Sequence, residues 1–363
     1  MQLRRLWLTD FRSYEAADVA LAPGLTAVVG DNGQGKSNLL EAVAYLATLS
    51  SFRGAPTEAL VRQGASTAVV RAEIARDDRE LLVEAEIVPG GRSRLQVNRQ
   101  RVQRSRDLLG ALRVSVFAPD DLAVVKAGPA GRRRFLDDAL VALSPRNDEL
   151  RTEVDRVLRQ RNALLKQAAG RLSPEVELTL DVWDEKLVTA GSLLGERRAA
   201  LLEDLDPYLR TAYADLAGAP VAVGARYEPA WRGSEGGLAA ALAAARDEEL
   251  RRRLTLVGPH RDEVAFSIDG LPARTHASQG EQRSLALALR LAAHRLVADA
   301  TETPPVLLLD DVFSELDPAR CDALVTHLLA TGAQTIVTTA GALPPTAHPD
   351  AVLRIAGGAV LPG

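Results

Sequence analysis

The amino-acid sequence predicts an α/β fold with an inserted helical lobe, and three stretches of the chain support this prediction. Short apolar segments separated by turn residues dominate residues 1–126, whereas apolar residues recur at helical spacing in residues 127–218. Helical and strand-like segments alternate in residues 219–363. We therefore predict one main domain, formed by 1–126 and 219–363, which the helical lobe at 127–218 interrupts. A chain of 363 residues is long enough for two such lobes.

The strands of the first region are predicted from short apolar or alternating runs that turn residues separate. A helix is expected at 38–47, because the apolar residues of this segment share one helical face. A second, short helix is expected at 105–112. The predicted strands are 3–8, 17–21, 26–29, 68–74, 81–88, 94–97 and 114–117.

The lobe and the C-terminal region carry start and turn signals. Ser-Pro pairs at 144–145 and 173–174 are typical of helix starts. The second helical region runs to about residue 218, with a break expected near Pro207. The Asp-Gly pair at 269–270 predicts a hairpin turn. Beyond the lobe the predicted strands are 221–227, 254–257, 264–268, 306–309 and 335–338, and the predicted helices are 281–298 and 318–330.

The composition restricts the class of protein. With 47% hydrophobic residues, 25% charged residues and a net charge of −4, the chain fits an ordinary globular protein whose nucleic-acid surface, if any, is local. The N-terminus has no apolar signal core, and no stretch approaches the roughly 20 apolar residues of a membrane span. Cys321 is the sole cysteine, which excludes an intramolecular disulfide and a cysteine-rich zinc site. We expect a cytoplasmic protein with no membrane partner.

Residues 30–37 match the phosphate-loop pattern G-x-x-x-x-G-K-[ST] and lie between a predicted strand and a predicted helix. Glycines let the backbone N–H groups and the helix N-terminus point at phosphates. Lys36 is expected to neutralise the β/γ oxygens of ATP, and the Ser37 hydroxyl to bind Mg²⁺. The alternative is a glycine turn before an ordinary helix. The predicted nucleotide-binding residues of the loop are Gly30, Asn32, Gly33, Gly35, Lys36 and Ser37.

Two acids end the apolar run 306–309 and complete the predicted nucleotide site. A buried strand that ends in an acid delivers a carboxylate to the Mg²⁺ shell at the carboxyl edge of a sheet, and this role is assigned to Asp310. Asp311 points differently from the strand end, and it is predicted to orient or deprotonate the attacking water as the catalytic residue. The alternative is a buried strand followed by a solvated acidic turn.

Ser278, Gln279 and Gly280 open the helix before this strand. Ser278 could be only a helix cap, because Glu281 completes a capping box. The order of the segments nevertheless resembles the ATP-binding-cassette (ABC) heads, in which a signature helix and a D-loop frame the nucleotide of the opposite subunit. On this resemblance 278–280 is the signature that acts in trans, Asp317 belongs to the D-loop, and the main domain is an ABC-type ATPase head with a mixed sheet.

Five further segments, together with the signature, carry a closer resemblance, and they are 8–14, 30–36, 117–122, 132–137 and 258–262. In these segments the chain resembles the RecF family of bacterial DNA-repair ATPases, which are related to the heads of SMC proteins. The resemblance implies an ATP-bound homodimer on double-stranded DNA near single-strand gaps, with RecR and RecO as partners in loading the RecA recombinase. It also places Arg12 and Ser13 beside the nucleotide.

Three departures from the ABC pattern indicate slow hydrolysis. Gln279 stands where transporters carry a second glycine, Asp311 replaces a glutamate, and Thr338-Thr339 occupy the usual switch-histidine region. We expect a weak ATPase that DNA stimulates. Two alternatives remain open, which are the motor subunit of an ABC transporter and a nucleotide-gated binding module without significant hydrolysis.

Six arginines and no acid lie between residues 89 and 106. One interpretation is a solvated sheet edge. The other is a DNA-binding surface, because arginine makes bidentate contacts to phosphates without reading the base sequence. The arginines assigned to DNA under this second hypothesis are Arg92, Arg94, Arg99, Arg101, Arg104 and Arg106.

Overall fold

A computed structural model describes residues 1–76, 79–103 and 107–361 of the chain. The strands in this part are, in chain order, β1 Gln2–Phe11, β2 Tyr14–Ala20, β3 Leu25–Val29, β4 Ala68–Arg76, β5 Arg79–Ile87, β6 Arg94–Val97, β7 Gln100–Arg101, β8 Val114–Phe117, β9 Val223–Glu228, β10 Glu263–Ile268, β11 Leu271–Pro272, β12 Val306–Asp310, β13 Thr335–Thr339, β14 Ala351–Ala356 and β15 Ala359–Leu361. The helices are α1 Lys36–Thr48, α2 Leu122–Lys126, α3 Pro129–Leu143, α4 Arg146–Ala168, α5 Pro174–Ala217, α6 Gly237–Arg252, α7 Ala273–His276, α8 Gln279–Thr301 and α9 Pro318–Thr331.

The chain divides into two compact units, each with its own sheet structure. The first unit comprises residues 1–121, 211–220 and 284–363, and the second comprises residues 122–210 and 221–283. The first unit has two six-stranded sheets, with the orders β2-β1-β4-β5-β6-β7 and β15-β14-β3-β13-β12-β8. The second unit has the three-stranded sheet β11-β10-β9.

The two sheets of the first unit differ in ways that their sequences explain. The first sheet is antiparallel, and β1 buries Leu3, Leu6, Leu8 and Phe11 while the residues between them are exposed or half-buried, which is typical of a strand with one face on the core and a register shift near Arg4. In the second sheet β8, β12, β13, β3 and β14 are parallel, and every residue of β12 and β13 is buried. The continuous apolar run 306–309 therefore reflects a strand that is covered on both faces.

Helix α1 contributes to the core of the first unit. Its residues Leu39, Leu40, Val43 and Leu46 are buried, and they belong to one apolar cluster with residues of both six-stranded sheets. The helix expected at 38–47 is thus confirmed, but burial covers every residue from 39 to 47 and is not limited to the one apolar face that was expected. Because α1 begins at the phosphate loop, this packing fixes the loop to the sheet edge.

The second unit differs from the predicted lobe at its C-terminal boundary. Residues 221–283 belong to this unit, whereas the prediction placed them in the main domain at 219–363. The physical reason is pairing: β9 forms an antiparallel ladder with β10 from Val223↔Ile268 to Glu228↔Glu263, and α6 contacts α4. Partners so distant along the chain are not visible in local periodicity. The boundaries lie at 121/122 and 220/221, between elements, and at 210/211 and 283/284, within α5 and α8, so the predicted division at 126 and 218 shifts as well.

The segment 254–257 was predicted as a strand, and this prediction is wrong. Two of its backbone N–H groups bind side chains instead of a neighbouring strand: Thr255 N donates to Asn162 Oδ1 at 2.7 Å, and Leu256 N donates to Glu249 Oε1 at 2.7 Å. The fully buried Arg161 guanidinium joins Glu249 and Asp184, at 2.6 Å each. Buried polar groups need such partners, so an ionic network holds this loop.

Two further local predictions fail and one is confirmed. Helix α5 continues through Pro207, where a break was expected. Residues 107–112 form turns and a bridge between Leu109 and Leu112 in place of the expected helix, whose first two residues lie outside the described part. The hairpin turn at 269–270 is confirmed, since Ile268 pairs with Leu271 and both turn residues have positive φ angles of 49° and 76°.

The described helices include none with both the length and the apolar character that a membrane crossing demands.

We expect acidification to destabilise the first unit through His294. This side chain of α8 is buried at 1% exposure, its Nδ1 lies 3.0 Å from Ser115 Oγ, and burial, with a smaller contribution from His327, lowers its pKa to about 4. The pKa of a histidine in an unfolded chain is about 6.5. Between these two pKa values the unfolded chain therefore binds more protons than the folded chain does. The free energy of unfolding thus decreases as the pH falls below about 6.5, and the decrease is roughly 2 kcal/mol at pH 5.

Chemical denaturation at pH 7 and pH 5 measures this difference. The free energy of unfolding should depend less steeply on pH in His294→Gln than in the native chain. In His348→Gln, which changes an exposed position, the pH dependence should equal that of the native chain. Equal pH dependence of the native chain and His294→Gln would contradict the assignment.

Candidate nucleotide-binding site

The candidate site lies at the carboxyl edge of the parallel strands in the first unit. Strand β3 ends directly before the phosphate loop, β12 ends at Asp310, and β13 ends at Thr338-Thr339. Strand β13 lies between β3 and β12, and all three run in the same direction. The sheet order therefore brings three separate segments of the sequence to one edge, as ligand sites in open α/β sheets require.

The phosphate loop depends on glycine for close packing. A Cβ atom at Gly30 would lie 2.3 Å from the carbonyl oxygen of Ile355, and one at Gly35 would lie 2.7 Å from Ser13 Oγ. Gly33 has a φ angle of 81°, which L side chains rarely adopt, and it lies with Asn32 on the exposed part of the loop. The Tyr14 hydroxyl donates to the Gly35 carbonyl at 2.9 Å. The sequence prediction did not include this contact.

Lys36 folds back into the loop. Its Nζ donates to the carbonyl oxygens of Gly30 at 2.7 Å and Asp31 at 2.8 Å, and the side chain is 7% exposed. The ammonium group is thus held at the N-terminus of α1, where backbone N–H groups and the helix dipole favour an anion. Lysine, loop amides and helix terminus together suit the phosphates of a nucleotide.

Ser37 and Asp310 meet at this edge although 273 positions separate them in the sequence. The Ser37 hydroxyl donates to Asp310 Oδ1 at 2.7 Å, and Asp310 is 6% exposed. Thr338 Oγ1 donates to the same Oδ1 at 2.8 Å. A hydroxyl and a carboxylate oxygen are hard oxygen ligands that fit Mg²⁺ together with nucleotide phosphates. These are the two residues that would hold the ion.

Asp311 has an unusual backbone conformation. Its φ and ψ angles are 48° and 32°, and its N–H group is bound by Thr338 through the carbonyl oxygen at 3.2 Å and Oγ1 at 3.0 Å. A left-handed non-glycine residue is held only where its surroundings impose it. Thr338 therefore bonds to both acids, and local sequence does not indicate this role because it depends on the order of β12 and β13 in the sheet.

Arg12 and Ser13 lie in the β1–β2 turn and contact α1. The Arg12 guanidinium forms a bidentate pair with the fully buried Glu41, at 2.7 and 2.8 Å, and donates to the Ala59 carbonyl at 2.8 Å. Ser13 Oγ accepts from Asn38 Nδ2 at 3.0 Å, next to Ser37. Ser13 thus contacts the first turn of α1 and Arg12 the second, and Glu41 is a partner that local sequence gave no reason to single out.

The predicted signature begins α8 in the second unit. Ser278 forms a capping box, in which its N–H donates to Glu281 Oε2 at 2.7 Å and its Oγ accepts from Glu281 N at 3.3 Å. Ser278 and Gln279 are exposed, and Gly280 is half-buried. The cap geometry and an exposed signature are compatible, because a residue that acts on a second subunit must be accessible.

Asp317 occupies the start of α9, where it caps the helix. Its Oδ1 accepts from Arg320 N at 3.0 Å, and this bond is the main cause of the lowered pKa of Asp317. The structure therefore gives the D-loop residue a local structural role, and a role across a dimer interface stays a prediction.

The arginines predicted to bind DNA differ in their surroundings. Arg94 pairs with Glu86 at 3.3 Å, and Arg92 donates to the Gln103 carbonyl at 3.0 Å. Arg99 lies in the β6–β7 turn with a φ angle of 64°, and Arg101 is exposed on β7. Among the described residues neither Arg99 nor Arg101 has an acidic partner. Arg104 and Arg106 lie outside the described residues.

These features define a P-loop nucleotide-binding head of the ABC ATPase type. A phosphate loop follows one parallel strand, and a metal-side acid bound to its serine follows another strand of the same sheet. Residues 2–345 match the family described as RecF/RecN/SMC N terminal domain. The chain is 51% identical over 358 residues to the DNA replication and repair protein RecF of Frankia alni, covering 94% of this chain and 93% of the relative. It belongs to the RecF family of DNA replication and repair proteins.

Another relative and one solved structure agree with this assignment, and a second solved structure shares the fold. RecF of Streptomyces avermitilis is 48% identical, with 94% of both chains covered. A solved structure of the recombination mediator protein RecF with ATP in the RecFOR pathway superposes with a TM-score of 0.90 at 28% identity, covering 99% of this chain and 96% of the other. An SMC head from Pyrococcus furiosus shares the fold, with a TM-score of 0.57 at 19% identity, covering 99% and 95%.

Proposed function

We propose that this chain is an ATP-dependent DNA clamp in recombinational repair and replication-gap processing. ATP and Mg²⁺ bind between the phosphate loop and Asp310, and the signature of a second copy covers the nucleotide, so that ATP joins a homodimer on duplex DNA near single-strand gaps. The hydrogen bond between Ser37 and Asp310, at 2.7 Å, carries the nucleotide part of the proposal, because it assembles the metal side of the site. Membership in the RecF family supports the DNA part.

The proposal also includes the partner proteins and the location in the cell. RecR and RecO are the expected partners, with loading of the RecA recombinase as the outcome, and the solved relative with ATP in the RecFOR pathway supports this expectation. The protein acts in the cytoplasm, where such DNA is found. A transporter motor is the less favoured alternative, because the relatives are DNA replication and repair proteins.

Slow, DNA-stimulated hydrolysis of ATP to ADP and phosphate is the proposed enzymatic activity. Asp311 is the shorter acid at the position of the catalytic base, and Thr338 bonds to Asp310 and Asp311 in the switch region. A nucleotide-gated binding module without significant hydrolysis is the second candidate that this arrangement supports. Turnover measured with and without duplex DNA separates the two, because only the first predicts a rate that DNA raises.

Sedimentation with ATP, ADP or no nucleotide, each with and without duplex, tests the dimer. We expect dimers only with ATP, and Ser278→Arg should keep ATP binding while it prevents dimerisation, because the arginine would occupy the interface. Ser173→Arg is a matched control, since Ser173 Oγ caps α5 through Val176 N at 3.3 Å. If both variants dimerise as the native chain does, Ser278 is only a helix cap.

DNA binding by the ATP-bound dimer should depend strongly on salt. If six to ten phosphates are neutralised, affinity should fall roughly 10³–10⁵-fold between 50 and 200 mM salt. The double variant Arg99→Glu/Arg101→Glu should reduce the slope of log affinity against log salt by about 1 for each lost contact, without changing ATP affinity. Arg210→Glu is the control, because it reverses an equal charge at an exposed position on α5, where Arg210 pairs with Asp206 at 2.7 Å, outside the assigned surface. An unchanged slope in the double variant would remove this surface from the DNA site.

A further inference from the structure

The turn between β14 and β15 packs against the phosphate loop in the first unit. Its two residues are Gly357 and Gly358, with φ angles of 57° and 74°, and Ala356 pairs with Ala359 on either side of them. Strand β14 runs parallel to β3, from Ala351↔Thr26 to Arg354↔Val29. The carboxyl end of β14 therefore reaches the same sheet edge as the loop that follows β3.

Gln34 of the phosphate loop is bound by this turn at two points. Its side-chain Oε1 accepts from Gly357 N at 2.6 Å, and its backbone carbonyl accepts from Gly358 N at 3.1 Å. Gln34 lies between the glycines of the loop pattern, where backbone N–H groups surround phosphates. Because the turn binds both the side chain and the backbone carbonyl of Gln34, it fixes the direction of the loop N–H groups.

Close backbone contacts accompany the two hydrogen bonds. A Cβ atom at Gly358 would lie 2.2 Å from the carbonyl oxygen of Ser13, and Gly30 approaches the Ile355 carbonyl in the same way. The β1–β2 turn, the phosphate loop and the β14–β15 turn thus meet with no room for an added methyl group. Neither flexible side chains nor solvent can absorb a displacement here, because the contacting atoms are backbone.

We propose that Gly357 and Gly358 are positioning residues of the nucleotide site, which act through Gln34 to hold the phosphate loop in the geometry that binds the nucleotide. This proposal rests on the nucleotide site proposed above. A hairpin turn alone would need glycine for its positive φ angles, but it would need neither the bonds to Gln34 nor the contact with Ser13. The β14–β15 hairpin thus contributes to the affinity of the site for the nucleotide.

The variant Gly358→Ala tests the proposal against a matched turn. Gly270 has a φ angle of 76° and occupies the second position of the β10–β11 turn, where an added Cβ atom would lie more than 4 Å from every described residue other than its two chain neighbours. Gly358→Ala should weaken ATP binding about tenfold or more in calorimetric titration, whereas Gly270→Ala should bind as the native chain does. Equal ATP affinity of these two variants would overturn the proposal, and thermal unfolding of both reports whether each is folded.

A second variant keeps the test decisive if Gly358→Ala does not fold. Gln34→Ala removes the bond to Gly357 N and leaves the turn sequence intact, so a several-fold loss of ATP affinity is expected. Binding and turn order are reciprocal, so ATP should slow hydrogen exchange at the Gly357 and Gly358 amides in the native chain more than in Gln34→Ala. Native affinity in Gln34→Ala together with unchanged exchange would overturn the proposal. Lys36→Ala, measured in parallel, distinguishes this outcome from failure of the nucleotide site itself.

Discussion

Lys36→Ala is expected to remove tight ATP binding from a chain that remains folded. Lys36 is 7% exposed, and its ammonium group donates to two carbonyl oxygens of the loop, at 2.7 Å to Gly30 and 2.8 Å to Asp31. In the variant the β/γ phosphates lose a charge-assisted partner in a water-poor site. Truncation of one partner in such a pair costs about 2–5 kcal/mol, so the Kd for ATP should rise by roughly 30-fold to several thousand-fold.

Equilibrium titration with ATP, with and without Mg²⁺, measures this change. Lys126→Ala serves as a matched control, because it removes an equal charge from an exposed position on α2. Its ATP affinity should equal that of the native chain. If a folded Lys36→Ala variant binds ATP as tightly as Lys126→Ala does, residues 30–37 are a glycine turn and the nucleotide site must lie elsewhere.

The parts of the site that follow from local sequence were predicted, and the parts that depend on strand order were not. Residues 30–37 combine strand, glycines and helix within one short segment, and Asp310 follows from a buried strand that ends in an acid. Thr338 bonds to both acids only because β13 lies next to β12. That neighbour relation is a long-range property, which periodicity does not contain.

The same limit explains the errors in the fold. Strands β9 and β10 pair although α6 and its flanking loops separate them in the sequence. The local pattern therefore assigned residues 221–283 to the wrong unit. The apolar run at 254–257 read as a strand, yet Asn162 and Glu249 supply its hydrogen-bond partners. In both cases tertiary partners, and not intrinsic propensity, decide the outcome.

Arginine runs show why charge in the sequence does not by itself locate a DNA surface. Arg132 is buried in a bidentate pair with Glu263, at 2.7 and 2.8 Å, whereas Arg99 and Arg101 are exposed. A buried arginine that pairs with an acid is unavailable to phosphates and is costly to unpair. The exposed pair therefore remains the better candidate for the DNA contacts.

Asp311→Asn should separate nucleotide binding from turnover. Asparagine tolerates the left-handed conformation that Asp311 adopts, at φ 48°, so the variant should keep the turn and its bonds to Thr338. In the proposed site Asp310, which accepts from Ser37, would still hold Mg²⁺. ATP binding should therefore survive, while turnover falls by about 10²–10⁴-fold, the scale of a lost general base. Because hydrolysis releases the dimer in this scheme, the ATP-bound dimer on DNA should live longer.

Steady-state phosphate release and the decay of dimers after ATP removal measure the two effects. Asp310→Asn is the variant for comparison, because it removes the carboxylate that Ser37 and Thr338 contact. It should weaken Mg²⁺-dependent ATP binding, whereas Asp311→Asn should lower turnover only. Native turnover in Asp311→Asn would show that the water is served by another group. Loss of ATP binding in Asp311→Asn, with binding intact in Asp310→Asn, would show that the two acids have exchanged roles. The left-handed turn at Asp311 would then orient a metal ligand, because its backbone and not its strand position would set the direction of the carboxylate.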